Sequence, residues 1–154
     1  MKKTLLISLV YFCMMMNVNA QATMQDLING GWNLAQQPEK FLTNTTWNFV
    51  GCKMESQYGA KPEAEKAFDN ALAGSVWTFS KFEGMDSPKN TYTISIKGKN
   101  ETALYNIGMG SLYIDVAGGS TWQGQVYIKG NQMCYVHNGF VRDYITCLMT
   151  FEKK

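Results

Sequence analysis

Histidine and arginine are almost missing from this chain: His137 and Arg142 are the only ones in 154 residues. A serine triad needs a base beside an activated nucleophile, and no serine stands in a G-x-S-x-G elbow to meet the one imidazole. There is no C-x-x-C and no second histidine, so a zinc site of about four ligands has little to draw on. Phosphate-cradling glycine loops are absent, since Gly118-Gly119 joins two alternating stretches and opens no helix. Proline is scarce too, with three in all. Beyond residue 16 no run is apolar enough to span a bilayer, which takes about 20 residues.

What is present begins with the leader. Lys2 and Lys3 precede the mostly apolar Thr4–Met16, and Val18-Asn19-Ala20 offers a small-residue cleavage site. This is the layout of a secretory signal peptide over residues 1–20, with cleavage also possible at 22. Phe12 stands before Cys13 where a lipoprotein signal carries a small residue. The expected destination is periplasmic or secreted. Of the 14 Lys and Arg, the leader holds Lys2 and Lys3, which leaves 12 against 12 Asp and Glu. That balance gives no basic patch for nucleic acid and no polybasic segment for a membrane surface. Residues 21–154 are enough for one domain with a real core; chains of this size bury about 68% of their unfolded surface.

Thr23 to Asn29 reads as a short helix with Thr23 as N-cap. Asn33 to Thr46, with Pro38, reads as loop or broken helix. Thr45–Val50 reads as a strand. A helix follows over about 62–73: Pro62 suits its first turn, and Ala64, Ala67, Phe68, Ala71 and Leu72 form one apolar stripe. From Ser75 the period becomes two, with Trp77/Phe79, Tyr92/Ile94/Ile96, Leu112/Ile114/Val116, Trp122/Gly124/Val126/Ile128 and Ile145/Cys147/Met149/Phe151 as inward rows. Thr102–Ile107 and Gln132–His137 are weaker strands. Lys97-Gly98, Met109-Gly110, Gly118-Gly119, Gly130-Asn131 and Asn138-Gly139 supply the positive φ that tight hairpins require. Short connections exclude parallel crossovers. The prediction is a mainly β fold: an up-and-down antiparallel meander of about eight strands closing into a small barrel. One helix is inserted after the first strand, and a short helix precedes it.

Few residues carry chemistry. Cys134 and His137 differ by three, so a regular strand sends them to opposite faces. The same parity splits a paper zinc set of Cys134, His137, Asp143 and Cys147. Asp115 and Glu101 read as surface acids rather than a glycosidase pair. No catalytic residue, metal or cofactor is expected.

The leader leaves three cysteines, Cys52, Cys134 and Cys147. An odd count outside the cytoplasm implies one disulfide and one further thiol. Cys134–Cys147 across the last hairpin is slightly favoured, which places the turn near Phe140 and Val141. Closure of the barrel would also bring Cys52 to Cys147.

The order of elements resembles the lipocalin-like (calycin) β-barrels over about Gly30 to Phe151. Gly30-Gly31-Trp32 is similar to the G-x-W pattern of that family, and Arg142 to its late arginine, which stacks on the tryptophan. On this reading the chain is an exported, non-catalytic protein that holds a small apolar ligand, lined by Trp47, Trp77, Tyr92, Leu112 and Trp122. The competing reading is an envelope module that binds another protein, such as an enzyme inhibitor or immunity protein. Tyr113, Tyr127, Tyr135 and Tyr144, expected on the outside, would supply its surface.

Overall fold

The computed structural model describes residues 21–56, 62–140 and 145–154, with the backbone alone for 138–140. The leader, Arg142, Asp143 and Tyr144 lie outside the described residues. The elements run α1 (Met24–Asn29), β1 (Asn33–Leu34), α2 (Glu39–Leu42), β2 (Thr45–Ser56), α3 (Pro62–Leu72) and β3 (Val76–Phe79). They continue with β4 (Thr91–Ile96), β5 (Lys99–Gly108), β6 (Ser111–Val116), β7 (Ser120–Lys129), β8 (Gln132–Phe140) and β9 (Ile145–Lys153).

Strands β2 to β9 form a closed, eight-stranded antiparallel barrel in which each strand pairs with the next. Closure comes from β2 against β9, paired from Trp47↔Lys153 to Ser56↔Ile145 with a register shift between Phe49 and Gly51. The two residues of β1 add to β7 beyond its pairing with Ser111, the first residue of β6. The hairpins follow from their turn residues. Lys97 and Gly98 have φ of 48° and 76°, and Met109 and Gly110 have 52° and 74°. That is the doubly left-handed backbone a two-residue loop needs to match strand twist.

Inward rows from all eight strands meet in one core. Its centre is solid: Phe79, Leu112, Ile114, Met133, Tyr135, Met149 and Phe151 are almost wholly buried. Each such side chain contributes about 1.5–3 kcal/mol of burial. Aromatic rings interlock within it. Phe151 meets Trp77 edge-on at 5.2 Å between ring centroids and Phe49 at 5.6 Å, and Phe79 meets Tyr105 at 5.3 Å. One end is plugged by Ala35 and Leu42, the latter on α2, with Phe82 packed alongside. The other end is the mouth, where α3 lies. Phe68 and Leu72 of its predicted stripe turn toward the core.

A second, smaller cluster sits outside the barrel. Ala22 and Leu27 cover Cys134, Val136 and Leu148 on the outer faces of β8 and β9. Two features fix this N-terminal segment. Thr23 and Asp26 form a capping box at the start of α1, and the Ala22 amide donates to Thr150 Oγ1 at 2.9 Å.

Three details of β8 correct the sequence reading. Asn138-Gly139 is not a hairpin turn; β8 runs on to Phe140 and shifts register between Asn138 and Phe140. The longer strand places Cys134 opposite Thr150 rather than Cys147. Cys134 therefore faces the outer cluster while Cys147 faces the core, and the Cys134–Cys147 pairing is ruled out by their opposite faces. Tyr135 points inward and is 2% exposed, not outward as parity had suggested. The surplus of apolar residues on both faces of β8 explains the error. The strand is covered on both sides, so alternation does not reveal which side is the core.

Candidate functional site

At the mouth, the barrel rim and α3 enclose a cavity of about 350 Å³. Its walls come from two stacked aromatic pairs on opposite sides of the ring of strands. Trp77 on β3 and Tyr92 on β4 lie 5.5 Å apart and nearly parallel. Trp122 on β7 and Phe68 on α3 lie 6.1 Å apart. Leu72, Ile94, Ala103 and Val116 complete the apolar lining, Glu101 brings charge to it, and Asp115 contributes its backbone carbonyl.

Each aromatic wall is held from behind. Trp77 donates its indole N–H to Ser75 Oγ at 3.0 Å. The Tyr92 hydroxyl donates to the Asp115 carbonyl at 2.5 Å. Burial, reinforced by the Asp115 and Glu101 carboxylates, pushes the Tyr92 phenol up to about 12. Below Trp122 lies His137, parallel to it at 5.0 Å. The imidazole Nδ1 donates to the Gln123 carbonyl at 2.8 Å; a carbonyl only accepts, so that nitrogen carries the proton.

Two carboxylates tie α3 to β2. Glu65 accepts from Lys53 Nζ at 2.7 Å and from the Met54 amide at 3.0 Å. Asp69 accepts from the Cys52 amide at 2.6 Å and from Gln21 Nε2 at 3.0 Å. A helix with no fully buried residue is thus positioned by its acids, and Phe68 reaches across the mouth to Trp122.

The structure brings together three of the five residues expected to line a cavity: Trp77, Tyr92 and Trp122. Trp47 and Leu112 do not line the mouth cavity; each is 2% exposed within the packed core. The Trp47 indole donates to Thr45 Oγ1 at 2.8 Å near the plugged end. Phe68, Leu72 and Glu101 were not picked out as lining, although the stripe on α3 had to cover something and Glu101 keeps the phase of Ala103 and Tyr105.

Cys52 and Cys147 meet inside the barrel, with sulfurs 3.3 Å apart and both fully buried. Cys147 stands directly across the ladder from His137. The Cys147 contact and burial push the Cys52 thiol far up, and burial pushes Cys134 up to about 12. Both are held as thiols, the unreactive form.

A second concavity, about 520 Å³, lies outside the barrel between the β3–β4 loop and the outer faces of β5 and β6. Met85, Leu104, Asn106, Met109 and Tyr113 line it. Of these, Met85 and Met109 are among the most exposed large apolar side chains.

No family model, curated protein or solved structure matches this chain. The architecture, a closed eight-stranded antiparallel barrel, is consistent with a lipocalin-like one. Among the described residues, no helix is long and apolar enough to cross a membrane.

Proposed function

We propose that this protein is an exported, non-catalytic binding protein of the lipocalin-like (calycin) kind that holds a small, largely apolar ligand in the mouth of its barrel. The observation that carries the reading is the aromatic-walled cavity over Trp77, Tyr92 and Trp122. At about 350 Å³ it falls in the range of small-molecule sites, which are mostly apolar with a few polar groups. The core beneath the cavity is packed, with Phe151 edge-on to Trp77, so a ligand sits near the rim rather than deep in the barrel.

The test is titration with the neutral fluorophore N-phenyl-1-naphthylamine. The wild-type protein is expected to bind it saturably. Trp122→Ala is expected to weaken binding severalfold while near-ultraviolet circular dichroism stays native. No saturable binding by the wild type would overturn the reading.

One observation favours a second reading, an envelope module that binds another protein. Met109 is fully exposed beside Met85 and Leu104 at the outer groove, and methionine adapts to varied partner surfaces. Of the tyrosines expected to carry such a surface, Tyr113 lines this groove. Tyr127 packs on the outer cluster beside Trp32.

A further inference from the structure

We infer that the mouth cavity selects ligands carrying a positive charge, a cationic amphiphile with an apolar body and an ammonium-type head. The inference rests on the binding reading above and adds the chemical class of the ligand. Among the described residues, the charged side chain turned into the cavity is acidic: Glu101, in phase with the inward Ala103 and Tyr105 of β5. Four electron-rich rings, Trp77, Tyr92, Trp122 and Phe68, surround the same space. A cation within about 6 Å of such a ring is attracted to its face, and more strongly where water is excluded.

Glu101 acts on the cavity itself rather than on solvent alone, since it opposes ionisation of the Tyr92 phenol in the wall. Asp115 gives that wall its backbone carbonyl, while its carboxylate accepts from Thr121 Oγ1 at 2.7 Å on the outer face of β6. Glu101 stands across the ladder from Ile94 at the rim and is exposed. An ammonium head would rest between Glu101 and the rings, with its tail against Leu72, Ile94 and Val116. An anionic head would meet the Glu101 carboxylate, with no lysine or arginine among the described lining residues to offset it.

The experiment is displacement of bound N-phenyl-1-naphthylamine by octyltrimethylammonium, octyl glucoside and octyl sulfate, each below its micelle concentration. The cation is expected to displace the probe at roughly five- to tenfold lower concentration than the sulfate. Glu101→Gln should narrow that gap severalfold and leave octyl glucoside unchanged. Glu39→Gln, at the plugged end, should change nothing. Equal potency of all three surfactants, or a gap untouched by Glu101→Gln, would overturn the charge selection and leave the binding reading standing. Absence of probe binding would overturn both.

Discussion

The sulfur of Cys52 lies 3.3 Å from the sulfur of Cys147, inside the barrel at the seam where its first and last strands join. These residues are 95 apart in sequence. A bond between them would make the barrel's closure covalent. Oxidative refolding with glutathione disulfide is expected to join them: two thiols lose their hydrogens and two molecules of reduced glutathione leave. Intact mass should fall by two hydrogens, and proteolysis should yield a Cys52–Cys147 linked peptide with Cys134 free. Such bridges are typically worth about 2–4 kcal/mol, so reduction should lower the melting temperature by on the order of 10 °C. Recovery of Cys134 in the linked peptide would contradict the observed faces of β8.

Because both thiols are buried and the Cys52 thiol is held protonated, the reduced native protein should resist alkylation at these two positions. Labelling with iodoacetamide followed by mass spectrometry is expected to modify them only under denaturant. Rapid labelling of the native protein would mean that the mouth opens far more than the structure shows.

Glu65 links the helix at the mouth to acid. Burial works to raise its carboxyl, but the Lys53 ion pair and the Met54 amide outweigh it and hold it below 4.5. A carboxylate depressed in the folded state contributes stability above its unfolded value and loses it as pH falls through the folded one. The α3 anchor should therefore weaken as pH falls below about 4.5. Probe binding at the mouth should decline over that range in the wild type. Glu65→Gln should bind more weakly at neutral pH and show a flatter acid profile. An acid profile identical in both proteins would remove Glu65 from the anchor.

Two glycines separate backbone necessity from convenience. A Cβ at Gly124 would lie 2.4 Å from the Val136 carbonyl oxygen and 2.6 Å from the Tyr135 ring. Neither can step aside within the β7–β8 ladder. A Cβ at Gly51 would meet the side chain of Gln21, which can rotate away at the loss of its bond to Asp69. Gly124→Ala should cost about 1–3 kcal/mol, and Gly51→Ala clearly less, by urea denaturation. The reverse order would contradict the packing at β7–β8.

Leu27 is the main apolar side chain by which α1 covers the outer faces of β8 and β9. Leu27→Ala should destabilise by about 2–3 kcal/mol, yet leave probe binding at the mouth unchanged in the folded protein, because the cluster lies outside the barrel.

The architecture was legible where each strand has one apolar face and each turn a residue that tolerates positive φ. Trp77, Tyr92 and Trp122 are of that kind, and the sequence places all three at the cavity. Legibility failed on β8. Cys134 and Val136 are buried outside while Met133 and Tyr135 are buried inside, so the strand offers no alternation. The run of β8 on to Phe140 then moved every pairing of Cys134. Trp47 and Leu112 failed for another reason. Period two assigns them to the interior but not to a height along the barrel axis, and both lie within the packed core. The tie between α3 and β2 was also invisible, because Glu65 and Asp69 look like ordinary solvated acids until the helix is seen beside Cys52 and Met54.

The most direct measurement is an amide-resolved NMR titration of the folded protein with N-phenyl-1-naphthylamine. Saturable shifts should concentrate at Phe68, Trp77, Tyr92, Glu101 and Trp122, with Trp47 and the outer groove at Met85 and Met109 unaffected. Shifts confined to the groove, or none that saturate, would contradict a ligand site at the mouth of the barrel.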